Sequence, residues 1–567
     1  MGKLRQLINL LLSTVLSVFE HLEFNGAVMT NRLPGSYIAT GNIPNATTSY
    51  HGEVLSLLFG FCEGAMKFNN RVFIYGDRLI RVNLNWIRDY VLTMKGFRYT
   101  EKDLRSFPDL LLEKQHDKGF FYEIIAPVSD MHSGRPWIRN GVITQISSPE
   151  CCYYEEGMDF GLCRLELEAD IEYLMVEGVH MVWQATGDDQ WLAQAMPKLE
   201  KGLDYICSDP LRWDRHYQLV KRPRTLDTWD FLDNMRSSYD RAIHPDDPMG
   251  IFHGDNTGLY NARLIMAKLH RYLGNDAAAQ RHEELAAALC ERIMTLLWNG
   301  DFFRHFLALD PVDYGVDEER QMSLSNAYAL NRNILSFAEK KRVIAAYRAM
   351  RDKYQGEYDD FRNLEPPYPM FHSRKAGQYV NGAIAPFVAG QLALGAFETG
   401  EESYGVDILK RMARKISRDG KVAFLYDWEG QDIGGGPRCW CGAELMHAEC
   451  AGLAGVVDND KLFADVTLSP RFAAACEPRA SVRLEYACSD KAVEYDFAAD
   501  YQARRLSVKL FSDHRHAKLR LYLPDGASAS AVSRNGQPTA WHDELVGQSH
   551  YACVDSLAAG DTIVVQY

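Results

Sequence analysis

The sequence predicts a mainly α-helical protein, an (α/α)6 toroid of six helical hairpins, followed by a smaller antiparallel β domain. Three observations support this fold class. Apolar residues recur with the i, i+3, i+4 period of amphipathic helices up to about residue 455. Tight turns that contain glycine alternate with long loops rich in aromatic residues. From about residue 462, the helical period gives way to the two-residue alternation of β-strands.

Several segments carry the helical period, among them Leu165–Thr186, Leu192–Cys207, Thr257–Leu273, Asp276–Trp298, Glu339–Tyr354, Gly382–Thr399 and Ser403–Arg418. Their connections are tight turns, such as Thr186-Gly187-Asp188 and Gly274-Asn275-Asp276. Glycine ends a helix readily because it adopts positive φ, and an acidic residue favours the start of the next helix. Short turns make successive helices antiparallel neighbours, so the segments pair into hairpins.

Long loops separate the hairpins: residues 31–52, 115–160, 209–256, 300–326, 355–381 and 424–442. In a toroid of hairpins, the tight turns would lie on one face and these loops on the other. Binding and catalytic residues are often carried by loops on a rigid scaffold. We therefore expect the functional residues on the loop face.

Alternating apolar and polar residues predict four strands near the C-terminus: Ala480–Tyr486, Leu506–Phe511, Lys518–Leu523 and Thr562–Tyr567. Turn residues such as Asn535-Gly536 separate them, which is typical of an antiparallel sheet or sandwich. We expect a catalytic toroid over residues 1–458 and an accessory β domain over residues 459–567.

The composition excludes several classes of function. The chain has 567 residues, of which 47% are hydrophobic and 24% charged, as in ordinary globular proteins. A net charge of −14 without a basic patch argues against nucleic-acid binding. The twelve cysteines are scattered and lack the spacing of a zinc site, so we expect reduced thiols, no metal and no cofactor.

The N-terminal segment Lys3–Phe19 is apolar and carries two basic residues, but no small-x-small cleavage motif follows it. We expect an amphipathic first helix rather than a signal peptide. No other apolar run approaches the length of a bilayer span. The sequence thus predicts a cytoplasmic protein without membrane association, and it indicates no oligomeric state.

One loop concentrates reactive side chains. Residues 224–234 hold three carboxylates with an arginine, a tryptophan and a phenylalanine. A carboxylic acid can protonate the leaving oxygen of a glycoside, and an aromatic face can stack on a sugar ring. Asp227, Asp230 and Asp233 are the candidate acids. The alternative is a helix start that one of these carboxylates caps.

Several motifs between residues 70 and 450 resemble the six-hairpin glycosidase superfamily. Leu84–Asp89 resembles the Trp-x-Arg-Asp signature of glucoamylase-like enzymes, and Leu226–Phe231 is similar to the Trp-Asp-Phe segment of trehalases and processing α-glucosidases. Gly254–Ala262 resembles the helix start that follows in those enzymes. Tyr379–Pro386 is similar to a loop of neutral invertases and sugar phosphorylases. The order of these motifs is more specific than any one of them, and it fixes no single family.

The resemblance implies roles for individual residues. It makes Asp230 the general acid, with Asp227 as its rival. It also implies that Arg88 and Asp89 hold hydroxyls of the sugar in the −1 subsite. A planar cation beside a carboxylate suits this task, because the pair can donate to and accept from two neighbouring hydroxyls.

The chain departs from the superfamily near the last hairpin. Leu425 occupies the place where trehalases and processing glucosidases carry a Glu shortly before a Tyr. The base is therefore sought among nearby carboxylates, with Glu429 first and Glu444 and Asp427 as alternatives. An inverting enzyme places its base across the cavity from its acid.

Aromatic and amide side chains on the loop face are candidates for sugar binding: Trp86, Trp229, Asn256, Asn381, Trp428 and Trp440. The alternative for each tryptophan is a plug that seals a cavity. Stacking on the C–H face of a sugar remains the functional interpretation of this set.

Together these features predict an exo-acting, inverting glycoside hydrolase on a small carbohydrate, with α-glucosides ahead of α-L-rhamnosides or mannosides. One alternative is a disaccharide phosphorylase, with phosphate bound near Arg438. Another is a non-catalytic carbohydrate-binding relative. A third is a sugar isomerase or lyase on the same toroid, with His51 or His253 as its base.

Overall fold

The structure is a computed structural model. It describes residues 46–50, 53–68, 70–83, 85–127, 137–139, 142–144, 149–227, 242–310, 312–371, 374–434, 436 and 438–567. The predicted N-terminal helix at Lys3–Phe19 lies outside the described residues. None of the helices within the described part is both long and apolar enough to cross a membrane.

The described residues form twelve α-helices: α1 (Glu53–Phe68), α2 (Ile87–Phe97), α3 (Ser106–Glu113), α4 (Ile171–Thr186), α5 (Asp189–Ile206), α6 (His253–Tyr272), α7 (Asp276–Leu297), α8 (Ser325–Ala329), α9 (Phe337–Tyr354), α10 (Pro386–Phe397), α11 (Glu402–Asp419) and α12 (Arg438–His447). Each of the seven helical segments named from the sequence overlaps one of them, with ends that differ by a few residues.

Six helices contact one another in a cycle. Helix α2 contacts α4, α4 contacts α6, α6 contacts α8, α8 contacts α10, α10 contacts α12, and α12 contacts α2. We call these six the central helices. The others pack against them: α3 and α5 on α4, α7 on α6, α9 and α11 on α10, and α1 on α12.

Side-chain patterns explain which helices are central. Every residue of α10 is buried, so this helix is surrounded by protein on all sides. Helix α9 buries only the stripe Val343, Ile344, Tyr347 and Met350 and exposes its charged face. An all-round apolar helix suits the inner position, and an amphipathic helix suits the outer one.

Local sequence also explains where the hairpins turn. Gly187 ends α4 in the left-handed conformation, with φ of 71°. The Asp188 side chain then accepts from the Trp191 backbone N–H and caps α5. Helix α9 begins with a capping box, in which Ser336 and Glu339 satisfy each other's backbone N–H groups.

Short strands connect the helical part: β1 (Ala46–Tyr50), β2 (Asn70–Tyr75), β3 (Arg78–Asn83), β4 (Ile124–Pro127), β5 (Trp137–Arg139), β6 (Val142–Thr144), β7 (Cys152–Tyr153), β8 (Phe160–Cys163), β9 (Trp213–Asp214), β10 (Leu219–Val220), β11 (Arg222–Pro223), β12 (Met249–Phe252), β13 (Phe306–Ala308), β14 (Met322–Ser323), β15 (Leu364–Glu365), β16 (Met370–Phe371) and β17 (Arg374–Lys375).

The C-terminal strands are β18 (Val456–Asp458), β19 (Asp465–Leu468), β20 (Arg479–Tyr486), β21 (Lys491–Asp500), β22 (Arg505–Leu510), β23 (His516–Tyr522), β24 (Ala531–Arg534), β25 (Gln537–Pro538), β26 (His542–Val546), β27 (Ser549–Val554) and β28 (Thr562–Gln566). They form a sheet in the order β1-β20-β21-β22-β28-β24-β25 and another in the order β18-β19-β23-β27-β26.

Two features of these sheets were not expected from the sequence. Strand β1 pairs with β20, although more than 400 residues separate them in the chain. Strands β19 and β23 are parallel, because a long connection that includes three other strands returns the chain in the same direction. The first strand of the smaller sheet, β18, begins at Val456, a few residues before the predicted boundary.

Polar contacts join the sheets to the helices. The Gln184 side chain on α4 donates to the backbone oxygens of Asp458 and Asp460, each at 3.1 Å. Tyr99 stacks on Tyr486 with the rings 5.8 Å apart and parallel within 1°. The β part is therefore packed against the helical part by specific contacts.

Candidate active site

Short strand pairings tie together the loops that precede the central helices. Strand β12 before α6 pairs with β13 before α8, and β14 before α8 pairs with β15 before α10. Ile384 before α10 pairs with Tyr426 before α12, and Trp86 before α2 pairs with Ile124. The N-terminal ends of these helices therefore share one end of the molecule, and the buried charged residues below lie there.

Asp227 is fixed at this end of the molecule by its backbone conformation and by hydrogen bonds from Ser325. Its backbone has φ of 52°, a conformation that a non-glycine residue adopts rarely. The Ser325 hydroxyl at the start of α8 donates to Asp227 Oδ1 at 2.5 Å, and the Ser325 backbone N–H donates to Oδ2 at 3.2 Å. The carboxyl is buried, with 3% of the residue exposed.

Two buried histidines flank Asp227. The Asp227 backbone N–H donates to His305 Nε2 at 2.8 Å, so that nitrogen is an acceptor and the ring proton sits on Nδ1. His305 Nδ1 then donates to Gln321 Oε1 at 2.7 Å. Burial lowers the pKa of His305 to about 4 and that of His253 to about 3, so both rings are neutral near neutral pH.

The surroundings of Asp227 favour its charged form. Burial raises the pKa of the Asp227 carboxyl, but His253, His305 and the hydroxyls of Ser323 and Ser325 together lower it below its usual value. A carboxylate that accepts hydrogen bonds in this way stays ionised.

Asp255 lies in the first turn of α6. Its surroundings favour the protonated form, in contrast to those of Asp227. Neither buried oxygen of Asp255 accepts a hydrogen bond from a described residue. Arg222 Nη1 lies 3.6 Å from Oδ1, too far for a hydrogen bond. Burial raises the pKa of Asp255 to about 7, with Asp170 and Asp227 adding to the effect and Arg222 and Arg88 opposing it.

The approach of α6 to Asp227 depends on Gly254. A Cβ atom at this position would lie 2.3 Å from the Ser325 hydroxyl and 2.8 Å from Asp227 Oδ1. No side chain fits there without displacing Ser325 or Asp227. Because Gly254 precedes Asp255, this contact also brings the two carboxyl-bearing segments together.

Arg88 binds two further carboxylates at the same end, Asp170 and Glu168. We call these three residues the Arg88 group. The Arg88 guanidinium donates to Asp170 at 2.6 and 2.8 Å and to both oxygens of Glu168. Burial lowers the pKa of Arg88, but Asp170 and Glu168 more than compensate. Asp89, the predicted partner in sugar binding, is half-buried, and the contacts of Arg88 run to Asp170 and Glu168 instead.

Glu123 borders the Arg88 group. Its Oε1 accepts from the Leu165 backbone N–H at 2.9 Å. Burial raises the pKa of Glu123 to about 7, while Arg164 and Arg88 oppose the shift. This end of the molecule therefore holds two carboxyl groups, Glu123 and Asp255, that titrate near neutrality.

Glu444 and Trp440 lie in a buried network among four central helices. Glu444 Oε1 accepts from Lys95 Nζ at 2.8 Å, from the Tyr328 hydroxyl at 3.1 Å and from Trp440 Nε1 at 3.3 Å. The Gln391 amide donates to the other oxygen. Lys95, Tyr328 and Gln391 lie on three different helices, and Trp440 lies on α12 with Glu444. The network therefore links four central helices.

Asn256 and Asn381 both bind backbone. The Asn256 side chain exchanges two hydrogen bonds with Val220, at 2.8 and 2.9 Å, in the manner of a neighbouring β-strand. Asn381 does the same with Tyr368, at 2.9 and 3.0 Å. Both amides fix the course of a loop at the candidate site.

The remaining candidate site residues among the described ones, Trp86, Trp428 and Glu429, are half-buried or exposed. We call them the rim residues. Trp86 is half-buried on the small cluster around Ile124. Trp428 is 41% exposed and donates through Nε1 to the Gly382 oxygen at 2.8 Å, with Arg362 over its ring. Glu429 is exposed beside it. Neither of the last two touches the buried carboxylates through any contact between described residues.

Two other residues that the sequence suggested, Asp427 and Arg438, make contacts with residues nearby in the chain. Asp427 accepts from the Gln431 backbone N–H at 2.7 Å and shapes its own turn. Arg438, the expected phosphate ligand, lies 3.6 Å from Asp432. Trp229, Asp230, Asp233 and His51 lie outside the described residues.

Sequence reasoning missed Asp170, Asp255 and Glu168 as members of the site. Asp255 stood inside a motif that was noted for its neighbour Asn256. Asp170 immediately precedes α4, where an acidic residue is expected simply as a helix start. A signal was present: acidic residues occupy the starts of two central helices that contact each other, α4 and α6.

Comparison with known proteins gives a likeness of fold. No family profile matches the sequence, and no curated protein sequence matches it. Among solved structures, an α-L-rhamnosidase from Dictyoglumus thermophilum superposes with a TM-score of 0.59 and 11% identity, over 92% of this chain and 50% of that one.

Two further solved structures are also similar to this chain in fold. The Streptomyces avermitilis α-L-rhamnosidase complexed with L-rhamnose gives a TM-score of 0.57 at 13% identity, over 92% of this chain and 42% of that one. A GH78 family rhamnosidase of Bacillus sp. GL1 gives 0.55 at 11% identity, over 86% and 43%. The chain spans half or less of these proteins, and at such identities the likeness concerns the fold.

Proposed function

We propose that this protein is a glycoside hydrolase built on an (α/α)6 toroid. The cycle of six central helices, with six outer helices packed against it, supports the toroid. Solved glycosidases share the fold. Cleavage would take place at the end where the loops before these helices are tied together.

The observation that carries the proposal is the opposite electrostatic character of Asp227 and Asp255. Two neighbouring titratable groups whose pKa values are pushed apart are suited to act as acid and base. Burial raises the pKa of Asp255 to about 7, so it holds a proton near neutral pH. Hydrogen bonds from Ser325 keep Asp227 ionised.

In the proposed reaction, Asp255 protonates the glycosidic oxygen as it leaves. Asp227 takes a proton from the attacking water, or stabilises the positive charge that develops on the sugar ring. The Asp255 oxygens lack hydrogen bonds from described residues, so a sugar hydroxyl or glycosidic oxygen can serve as partner. Inversion of the anomeric centre is proposed from the resemblance to inverting six-hairpin enzymes.

Asp230 and Glu429 remain the acid and base that the motifs predict. Asp230 follows Asp227 by three residues, so both assignments use the same loop. Glu429 lies on the rim, where an exposed carboxylate could reach a substrate from above. Variants of all four carboxylates distinguish the two pairs.

Sugar binding would use the Arg88 group and the rim tryptophans. Asp170 and Glu168 have oxygens near Arg88 that can accept from sugar hydroxyls, as the arginine orders both carboxylates. Trp86 and Trp428 offer aromatic faces. Asp89 is proposed as a further hydroxyl ligand on the strength of the Trp-x-Arg-Asp motif.

The proposed substrate is a small glycoside cleaved from its non-reducing end. Residue motifs favour α-glucosides, and the structural neighbours favour α-L-rhamnosides. A panel of p-nitrophenyl glycosides covering α-glucose, α-L-rhamnose and α-mannose tests both. Release of nitrophenol from at least one member is expected.

Two controls define the chemistry. Proton NMR during the first turnovers should show the released sugar with inverted anomeric configuration. Added phosphate should leave the rate unchanged, whereas a phosphorylase would require it. If no member of a broad glycan panel is cleaved but one binds, the chain is a binding protein and the proposal fails.

A further inference from the structure

Two cysteines lie on the small sheet formed by β4, β8 and β7, and a third, Cys151, immediately precedes β7. Cys152 on β7 and Cys163 on β8 are directly opposite each other in the antiparallel register. Both cysteines are reduced thiols. We propose that Cys152 and Cys163 form a reversible disulfide, a modification site that ties β7 to β8.

The hydrogen-bond pattern shows whether Cys152 and Cys163 form a hydrogen-bonded or a non-hydrogen-bonded pair of the two strands. Arg164 N–H donates to the Cys151 oxygen at 2.8 Å, so residues 151 and 164 form the hydrogen-bonded pair of the ladder. The next pair, 152 and 163, is therefore non-hydrogen-bonded. Side chains approach most closely at such pairs, with Cα atoms about 4.5 Å apart. That separation lies within the roughly 4.4–6.8 Å range of disulfides.

Side-chain packing agrees with this geometry. Cys163 belongs to a small buried cluster with Ile124, and Cys152 packs against that same cluster beside Trp86. The thiols therefore share one face of the sheet. Cys151 is adjacent in sequence but contacts Glu166 Oε1 at 3.5 Å instead. Cys151 ends the 3₁₀ turn before β7, and because its thiol contacts Glu166 it does not compete.

The two thiols are also suited to different roles. A hydrogen bond from Cys163 lowers the pKa of the Cys152 thiol, while burial opposes the shift. The same hydrogen bond and burial raise the pKa of Cys163. Cys152 is half-buried and Cys163 is buried. Cys152, which is more accessible and has the lowered pKa, is thus the cysteine that meets an oxidant, and Cys163 resolves the intermediate.

The chemistry with glutathione disulfide balances in two exchanges. The Cys152 thiolate attacks one sulfur of the oxidant, forming a mixed disulfide and releasing one glutathione thiolate. Cys163 then gives its proton to that glutathione thiolate and attacks the Cys152 sulfur, forming the protein disulfide and releasing the second glutathione as a thiolate. Two protein thiols are oxidised, and one glutathione disulfide is reduced to two thiols.

The cross-link would lie next to the proposed site. Glu123 N–H donates to the Cys163 oxygen at 2.8 Å. Oxidation therefore fixes the strand that positions Glu123 and the cluster beneath Trp86. The inference concerns the thiols alone and holds whether or not the protein cleaves glycosides.

Titration with glutathione disulfide tests the proposal. Intact mass should fall by two hydrogen atoms, and peptide mapping should find one peptide that joins Cys152 to Cys163. Cys152→Ser and Cys163→Ser should each abolish that peptide. Cys290→Ser, a half-buried cysteine on α7, is the matched control and should retain it.

Two results would overturn the proposal. One is a stable mixed disulfide with glutathione at Cys152 that Cys163 never displaces. The other is a pair of thiols that stay reduced while the other half-buried cysteines react. A rise in the thermal midpoint on oxidation, lost in Cys152→Ala, provides a readout that does not depend on the serine variants.

Discussion

Asp227 and Ser325 are 98 residues apart in the chain, yet the Ser325 hydroxyl donates to the Asp227 carboxylate at 2.5 Å. The backbone N–H of Ser325 donates to the other carboxylate oxygen. One residue at the start of α8 thus fixes the position and charge of a carboxylate that precedes α6. The first prediction concerns this pair.

Ser325→Ala should reduce stability by about 1–3 kcal/mol, because a buried carboxylate loses a charge-assisted hydrogen bond. It should also raise the pKa of Asp227. Urea denaturation measures the first effect. Ser208→Ala is the control, since its hydroxyl donates only to nearby backbone on the surface, and it should change stability little. Equal losses in both variants would contradict the role of Ser325.

Asp255→Asn should remove part of the pH dependence of stability. The unfolded carboxyl titrates near 4, whereas the folded one has a pKa of about 7. Between these values the folded state binds the extra proton, so stability falls as pH rises from about 4 to about 7. One such group contributes at most about 1.4 kcal/mol per pH unit.

Denaturation at a series of pH values checks this slope. Glu123→Gln is the matched comparison, because burial raises the pKa of Glu123 to about 7 as well. Each variant should flatten the decline separately, and the double variant should flatten it further. An unchanged slope in Asp255→Asn would show that Asp255 is ionised in the folded protein at neutral pH.

Gly254→Ala should disrupt the site without a change of charge. The new Cβ would lie 2.3 Å from the Ser325 hydroxyl, so Ser325 or Asp227 must move. We expect a loss of about 1–3 kcal/mol, typical of overpacking. Gly60→Ala is the control on α1, where a Cβ meets nothing within 4 Å. That change should be neutral or stabilising by up to about 1 kcal/mol. Thermal denaturation compares the two.

Arg88→Met should be among the most damaging single changes. It leaves Asp170 and Glu168 buried without their cation, a situation that costs about 3–5 kcal/mol in comparable buried pairs. Arg88→Lys keeps the charge but cannot donate to both carboxylates at once, so an intermediate loss is expected. A lysine variant as stable as the parent would show that the forked geometry is unimportant. Chemical denaturation of both variants gives the answer.

Glu444→Gln separates a structural carboxylate from a catalytic one. Lys95 would lose its ionic partner in the helix network, and we expect a loss of about 3 kcal/mol. Activity per folded molecule should fall less than about tenfold, because the network lies among the helices rather than in the carboxylate cluster. A loss near that of a general acid, about 10²–10⁴-fold, would make Glu444 a reacting group.

The helices were predictable because their signal is local. Asp276–Trp298 was expected and Asp276–Leu297 is observed, since the Asn275 cap and the apolar period both lie within the segment. The pairing of β1 with β20 was not predicted. A pairing between distant strands leaves no periodic trace in either segment.

The site was predictable in part for the same reason. Asp227 was singled out by the local crowding of acids and aromatics. Asp255 and Asp170 were not, because their significance comes from burial and from each other's charge. The amides of Asn256 and Asn381 bind backbone, and their role in sugar binding stays a prediction. Sequence identifies residue types, and only the fold shows which partners they have.

The most direct test is the rate of glycoside cleavage by Asp255→Asn, measured with the best substrate of the panel beside Asp227→Asn, Asp230→Asn and Glu429→Gln. We expect Asp255→Asn and Asp227→Asn each to lose about 10²–10⁴-fold in kcat. The activity of the parent should fall above about pH 7, where Asp255 loses its proton. Near-parental rates in both buried variants, with the loss found only in Asp230→Asn and Glu429→Gln, would contradict the buried pair.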